Sequence, residues 1–439
     1  MKKFPDKVGY HWAPAAMEKL YFNSVSRAPC EQFKPTMEKK TAKGRAYFVM
    51  KGLGTKLVYS TNLSIKDGWY PGRELLEELS FGLYNAHNKS MKESHYKLAD
   101  SLGKLVYRIQ DSGGFQLFSG VQDFIDPAEL VLYHDRFADS GVSLDLPLSM
   151  VRDRAVVEGG ARMLAANSES LLKLRKQPWQ LMNVSHGLTP QLRAAWQKIA
   201  LAEPCDSLCI AGLRGSIFKE AVGANPVAVA AHMLVGMLHP NNYQHYHLLG
   251  LSSVTGMILA ALVANLHGKV VTSDSTTYLA GQQFGNYGYN PIEPATEHNY
   301  RRLHCSCKLC AFVEYEYWAQ KNAYFLSIHN AYRISHICNT VNGMMRHALE
   351  SKLSAKGIVR MLLAANIGLD KKHAMSMQKA IDLILNTTKY SEACKIDISF
   401  SATVTRSLFK PKAPKPEDLT RQIKIIRTYE KYHGKKFLK

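Results

Sequence analysis

Residues 245–274 have the sequence HYHLLGLSSVTGMILAALVANLHGKVVTSD, and this stretch decides the fold class. A short apolar run rich in β-forming residues (245–251) precedes VTGMILAALVANLHG, in which apolar residues recur at helical spacing. A second β-rich run, KVVTS (269–273), follows at once. Strand, helix and strand in this order are typical of two parallel strands joined by a crossover helix.

The same alternation of β-rich runs and helical stretches extends upstream. Further β-rich runs are LVYRI (105–109), GVSLDL (141–146), QLMNV (180–184) and SLCIAGL (207–213). Six runs, with room for two more upstream, predict an α/β protein built as a (β/α)8 barrel of the TIM type. The predicted organisation is a barrel over residues 1–290, a small zinc-binding subdomain over 291–345, C-terminal helices packing on the barrel over 346–405, and a basic tail over 406–439.

The composition favours a globular protein that binds a polyanion. Of 439 residues, 46% are hydrophobic and 21% charged, which excludes global disorder. The net charge of +20 makes nucleic acid the first candidate partner, and a merely soluble basic protein is the alternative. In the tail, TRQIKIIRTYEKY (420–432) predicts a basic amphipathic helix, either contacting nucleic acid or lying in a solvated, partly ordered terminus.

No membrane span is predicted, although residues 221–268 contain no Asp, Glu, Lys or Arg. Polar residues from Pro240 to His247 divide this segment, and a transmembrane helix needs about 20 continuous apolar residues. Buried strands and helices of a soluble core fit the segment better. The first residues, MKKFPDKVGYHW, lack the apolar stretch of a signal peptide, so we expect a cytoplasmic location.

Polar or glycine residues follow nearly every predicted strand. They are Asp111, Asp145, His186, Gly212, Gly250 and Asp274. In barrel enzymes the active site lies at the carboxyl ends of the strands, so these residues are candidates for one common site. The alternative is that the Asp residues cap the helices that follow, which would explain any one of them more easily than the whole set.

The most specific local string is DSGGFQ (111–116), followed by LFSG. Two glycines after a strand allow the backbone to approach a flat ligand, and Phe115 offers a ring face. The string resembles the signature of the tRNA-guanine transglycosylase family. Segments resembling other family motifs follow in the same order: LDLP (144–147), VSHG (184–187), IAGL (210–213), LLG (248–250) and TSDS (272–275). The likeness covers about residues 100–345.

This resemblance implies base exchange at a glycosidic carbon. It implies that Asp274 is the nucleophile, that Asp111 is the general acid/base, and that Asp145 binds the N1–H and 2-amino edge of a guanine-like base. The other residues implied to bind substrate are Phe115 and Leu249, which would sandwich the ring, Gly212 and His186 at O6, and Gly113, Gly114 and Leu213 through the backbone segments. His186 stands where the family usually has Gln, and a purely structural histidine is the alternative.

Three of the eight cysteines form the cluster Cys305-x-Cys307-x2-Cys310. Thiolates at this spacing predict a Zn²⁺ site in a reducing compartment, with buried free thiols as the less favoured alternative. The family resemblance implies a His in an Ile-His-Asn context as fourth ligand. His329 has that context, and His336 is the alternative because its distance from the cysteines is more usual. A site closed by four protein ligands leaves no position for water, so the zinc is expected to be structural.

Two departures from the family favour DNA over tRNA as the polymer. The residues after Asp274, TTYLA (276–280), lack the Arg-rich loop of bacterial tRNA enzymes, and no archaeal-type RNA-binding domain follows the cysteines. Both departures resemble the bacterial and phage branch that inserts 7-deazaguanines such as preQ0 (7-cyano-7-deazaguanine) into DNA. The alternatives are a divergent tRNA-guanine transglycosylase and, from another class, a non-catalytic nucleic-acid-binding partner on the same fold.

Overall fold

The computed structural model describes most of the chain between residue 107 and residue 275 and much of the C-terminal third. The described residues are 8–14, 47–49, 56–58, 81–85, 107–148, 151–213, 225–251, 253–275, 323–365, 367, 369, 373–398 and 416–438.

The chain is an α/β protein in which strands alternate with helices. The strands are β1 (Gly9–Pro14), β2 (Tyr47–Val49), β3 (Lys56–Val58), β4 (Phe81–Asn85), β5 (Tyr107–Asp111), β6 (Ser140–Val142), β7 (Gln180–Ser185), β8 (Ser207–Ile210), β9 (His245–Leu248) and β10 (Val270–Ser275). Within the described residues, the first six helices are α1 (Gly114–Ser119), α2 (Pro127–Phe137), α3 (Arg154–Leu174), α4 (Pro190–Ala200), α5 (Pro226–Met237) and α6 (Val254–His267). The later helices are α7 (Ala323–Glu350), α8 (Ala355–Ala364), α9 (Ala374–Asn386), α10 (Tyr390–Ala393) and α11 (Pro416–His433).

Eight of these strands form one curled parallel sheet in the order β1-β10-β9-β8-β7-β6-β5-β4. From β4 to β10 each strand therefore lies beside the next one in the chain, and β10 returns to β1. The edge strands β1 and β4 contact each other, although the described residues form no hydrogen-bonded ladder between them. Strands β2 and β3 form a separate antiparallel pair.

Each of the six β-rich runs contains a strand, but three of the strands end earlier than the runs. The run 245–251 forms a strand only to Leu248. The run 141–146 forms a strand only to Val142, and the run 207–213 only to Ile210. After β6 the Leu144 carbonyl accepts a hydrogen bond from the Asn167 side chain of α3 at 3.0 Å, in place of a ladder partner. Asp145 consequently lies beyond the strand, in an irregular segment.

Several helices begin at a polar cap, and these caps are not the polar residues that follow the strands. Asp126 and Asp153 cap α2 and α3, and Thr189, Asn225 and Ser253 cap α4, α5 and α6. Gly113 occupies the cap position of α1 and offers no side chain. Helix capping therefore does not explain the presence of Asp111 or Asp145 at their positions.

The charge-free segment 221–268 includes two helices, α5 and α6, that are largely buried. Helix α5 is apolar almost all round because α9 and α10 cover the side that α6 and the sheet leave open, and α6 is covered by α7 in the same way. The interpretation of this segment as buried core is confirmed. Among the described helices, none is long and apolar enough to cross a membrane.

The C-terminal segment packs onto the sheet's outer layer. The predicted amphipathic helix is α11, and Ile425, Ile426 and Tyr429 on its inner face are almost completely buried. Beyond it Phe437 is also buried, and its carbonyl accepts a hydrogen bond from Arg162 of α3. The alternative of a solvated terminus is therefore wrong for residues 419–438. The boundary predicted at 345/346 falls inside α7, which continues through it without a break.

Candidate active site

Three carboxylates lie at the carboxyl edge of the sheet. Asp111 is the last residue of β5, Asp274 is the penultimate residue of β10, and Asp145 follows β6 by three residues. Both other carboxylates act electrostatically on Asp111. All three carboxylates also act electrostatically on the buried thiol of Cys209 on β8. They therefore lie around one region at the end of the sheet.

The pKa of Asp111 is strongly perturbed. Burial raises its pKa from 3.8 to about 7, and the negative charges of Asp145 and Asp274 contribute in the same direction. The backbone N–H groups of Ser112 and Gly113 offset part of this rise. A carboxyl with a pKa near 7 is protonated about half of the time at neutral pH, so it can both give and take a proton during one reaction cycle.

The two glycines after Asp111 are required by the geometry. Gly113 has a φ of 84°, in the left-handed region that glycine tolerates best. Gly114 lies against Asp145, and a Cβ atom at this position would overlap the Asp145 carboxylate. The DSGG string therefore allows the chain to turn into α1 while its backbone touches a second acidic residue.

Asp145 is 5% exposed and is held by two side chains. Its Oδ2 atom is 2.8 Å from Nε2 of His186, and its Oδ1 atom accepts a weak hydrogen bond of 3.4 Å from the Ser112 hydroxyl. The His186 ring stands edge-on to Trp196, with 4.9 Å between ring centroids. An ionised carboxylate has about four acceptor positions, and contacts within the described residues use two of them, so this carboxylate can also accept from N–H donors of a ligand.

Asp274 is fixed through one of its two oxygens. Oδ1 accepts a hydrogen bond from the Gly250 N–H at 2.5 Å and lies 3.4 Å from Nε2 of His247. No hydrogen bond within the described residues engages Oδ2. The side chain is 14% exposed, so an electrophilic carbon that enters the site can reach the carboxylate.

His247 is a site residue that the sequence reasoning missed. Its Nδ1 atom is 2.8 Å from the Thr272 hydroxyl, which Nε2 of His245 also contacts at 2.8 Å. Both histidines are buried, and burial lowers the pKa of His245 well below its usual value. The signal was present as the alternation His-Tyr-His before Leu-Leu-Gly, which places 245 and 247 on one face of β9.

Arg193 is a second residue that sequence reasoning did not single out. Its guanidinium is fully buried and donates to the carbonyls of Ser185 and Ala211, at the ends of β7 and β8, and to Nδ1 of His232 at 2.9 Å. Within the described residues it meets only neutral acceptors, and burial lowers its pKa to about 9. Arg193 joins the two strand ends from which His186 and Gly212 project.

The remaining predicted substrate-binding residues are placed as follows. Gly212 turns the chain after β8 with a φ of 80°. Leu249 is half-buried and donates its N–H to the Ile210 carbonyl at 3.0 Å. The Leu213 side chain is buried in the core, which leaves only its backbone for a ligand. Phe115 lies in α1, but its side chain falls outside the described residues.

The predicted zinc ligands fall almost entirely outside the described part of the chain. This applies to Cys305, Cys307, Cys310 and the side chain of His329, whose backbone lies in α7. His336 lies on α7 with its side chain exposed. Within the described ranges, no three His, Cys, Asp or Glu side chains come close enough together to hold a metal ion.

Comparison with known proteins adds no identification. No protein-family model matches the chain, and a search of curated proteins finds no significant match. The likeness to tRNA-guanine transglycosylases therefore depends on the motif residues themselves and on the chemistry that their arrangement allows.

Proposed function

We propose that this chain is a transglycosylase that exchanges guanine in DNA for a 7-deazaguanine base, preQ0 or a close relative. The observation that supports this most is the pairing of two unlike carboxyl groups at one edge of the sheet. Asp111 has a pKa near 7, as an acid/base requires, whereas no hydrogen bond within the described residues engages Oδ2 of Asp274, as a nucleophile requires.

The first half of the reaction forms a covalent intermediate. Oδ2 of Asp274 attacks C1′ of the target nucleotide, and the C1′–N9 bond breaks with its electron pair passing to the base. Asp111, in its protonated form, supplies the proton that the departing guanine takes up. The Gly250 N–H holds Oδ1 of Asp274 while Oδ2 becomes the ester oxygen, and Nε2 of His247 lies 3.4 Å from Oδ1.

The second half reverses these steps with a new base. Asp111, now ionised, takes the N9 proton of the incoming 7-deazaguanine, whose N9 attacks C1′ and displaces the Asp274 carboxylate. Two displacements at one carbon retain the configuration of the sugar, as in retaining glycosidases.

Asp145 explains why the base should be guanine-like. The Asp145 carboxylate can accept hydrogen bonds from the N1–H and the 2-amino group of a guanine-like base. Adenine has no N–H at N1 and cannot make the same pair of bonds. A buried carboxylate left without such donors costs about 1–3 kcal/mol or more, which favours guanine and 7-deazaguanines over adenine. His186 fixes the orientation of this carboxylate through Oδ2.

The fold and the metal belong to the same proposal. Contact between β1 and β4, with each strand beside its successor, supports closure of the sheet into a (β/α)8 barrel.

Three thiolates and one imidazole are a donor set that Zn²⁺ prefers, so Cys305, Cys307, Cys310 and His329 would hold a structural zinc. Such an ion would stabilise the segment around it, and the base exchange itself would need only the side chains at the sheet edge.

DNA is the proposed polymer, and base incorporation tests it. The target guanine must leave the duplex for Asp274 to reach C1′, at a cost of a few kcal/mol that a chain of net charge +20 can help offset by binding phosphates. Purified protein is incubated with radiolabelled preQ0 and either guanine-containing DNA or tRNA, with Asp274→Asn as the inactive control. We expect label in DNA alone.

The other outcomes separate the alternatives. Label in tRNA alone would support a divergent tRNA-guanine transglycosylase. Label in neither polymer, from a folded protein that binds nucleic acid, would support a non-catalytic nucleic-acid-binding protein on this fold.

A further inference from the structure

A groove of about 670 Å³ lies between α11 and the loop that follows α1. It is lined by Phe124 from the loop and by Thr420, Arg421, Lys424 and Thr428 from the helix. Lys424 is exposed and Phe124 is 37% exposed, so a cation and part of an aromatic ring are both open to solvent. The groove takes no part in the chemistry assigned above to the three carboxylates.

The wall formed by α11 is packed against the rest of the protein. Ile425 and Ile426 are buried beneath it, and the Tyr429 hydroxyl both accepts from the Ile125 N–H at 3.1 Å and donates to the Ile125 carbonyl at 2.7 Å. Phe124 packs against the ring of Tyr429 with 5.0 Å between centroids. The cationic side chains of this helix are thus presented from a fixed backbone, which reduces the entropy lost when they bind a ligand.

The groove lies close to the candidate active site. The Arg421 guanidinium covers Gly120 so closely that a Cβ there would overlap it. Gly120 ends α1, and Gly113, two residues after Asp111, begins it. A six-residue helix is about 9 Å long. One strand of a duplex carries a phosphate for about every 3.4 Å along the axis, so the length of α1 corresponds to about three nucleotides.

The charge and shape of the groove match a polynucleotide strand. Arg421 and Lys424 point toward it, and Arg427 is exposed on the next turn. The one acid in its lining, Asp123, forms an ion pair of 3.5 Å with Arg421 and is itself 87% exposed. Cations beside an accessible aromatic ring are the combination by which proteins bind single-stranded nucleic acid, through phosphate contacts and base stacking.

We propose that this groove binds the unpaired DNA strand beside the target guanine, with Lys424 and Arg421 contacting phosphates and Phe124 stacking on a base. The position of that strand relative to the extruded nucleotide rests on the proposed function. The binding itself does not, because a strand can bind whether or not its base is exchanged.

The test measures binding without catalysis. A fluorescein-labelled, guanine-containing 12-nucleotide DNA is titrated with the full-length protein at several salt concentrations, and anisotropy gives the dissociation constant. Lys424→Ala should weaken binding about fivefold at low salt and reduce the slope of log K against log salt by about one. Phe124→Leu, which keeps an apolar side chain on Tyr429, should weaken binding about tenfold with an unchanged slope.

Lys198→Ala is the matched control, because Lys198 is an exposed lysine in the last turn of α4, at the opposite end of the sheet. Lys198→Ala should leave the affinity for the 12-nucleotide DNA and the slope of log K against log salt unchanged. Lys424→Gln should have the same effect as Lys424→Ala if the charge of Lys424 is what binds the DNA. Equal behaviour of Lys424→Ala and Lys198→Ala would overturn the proposal, as would tight binding of an RNA 12-mer with none of the DNA. Failure of base exchange with the lysine effect intact would instead overturn the proposed function alone.

Discussion

Replacing Asp111 by Asn should stabilise the protein, and by an amount that grows with pH. Asn keeps the size of the side chain and can still accept the Ser112 and Gly113 N–H groups, but it has no charge to bury. A carboxyl whose folded pKa is raised binds its proton more tightly in the folded state. Wild-type stability is therefore lost as pH rises from about 4 to about 7, and the variant does not share that loss.

The magnitude follows from the size of the shift. The pKa of Asp111 rises from 3.8 to about 7, and each unit corresponds to about 1.36 kcal/mol. The full penalty at pH 8 is about 4 kcal/mol, and solvent screening of this partly exposed group reduces it toward about 2 kcal/mol. At pH 5 the folded carboxyl is still protonated, and the expected difference falls to about 1 kcal/mol.

The assay is urea unfolding of wild type and Asp111→Asn at pH 5 and pH 8, followed by fluorescence. Asp382→Asn, on the exposed face of α9, controls for loss of a surface charge and should show no pH-dependent gain. The same Asp111→Asn protein should lose base exchange despite being more stable. If its stability gain were equal at pH 5 and pH 8, Asp111 would not have a raised pKa, and the acid/base role would lose its physical basis.

Four further predictions test other parts of the structure. His186→Gln should keep most of the exchange activity, because an amide N–H can replace the ring in donating to Asp145, whereas His186→Ala should cost about 1–3 kcal/mol in urea unfolding. His247→Phe should lower kcat about tenfold with little change in KM, because it removes the ring nitrogen that lies 3.4 Å from Oδ1 of Asp274. Ile426→Ala should lower the unfolding free energy by about 2–4 kcal/mol, since this side chain is fully buried under α11; an effect below 0.5 kcal/mol would mean that the helix does not dock. Metal analysis should find about one zinc per chain, lost in His329→Ala and retained in His336→Ala; the reverse pattern would identify the other histidine as the ligand.

The strands and the residues at their ends could be predicted because they depend on local sequence. Apolar runs such as QLMNV bury both faces, and Asp111 and Asp274 were assigned to one edge simply because parallel strands end there. Where a strand stops was less predictable. The run that includes Asp145 leaves the sheet early because Asn167, more than twenty residues away in the chain, bonds the Leu144 carbonyl.

The partners of the carboxylates depend on contacts that local sequence does not reveal. Thr272 lies beside His247 only through the register of β10 on β9, and the bond from His186 to Asp145 joins two different strand ends. The burial of Ile426 likewise requires a matching surface on the loop after α1 and on α3. Helical spacing predicts an apolar face on α11 but not what covers it.

The most direct test of base exchange through Asp274 is to capture its covalent intermediate. The protein is incubated with a guanine-containing oligonucleotide without any incoming base, quenched in denaturant, digested with protease and examined by mass spectrometry for a nucleotide-linked peptide. The proposed mechanism predicts a sugar adduct on the peptide containing Asp274, absent from Asp274→Asn. An adduct on another residue, or full exchange by Asp274→Asn, would contradict it.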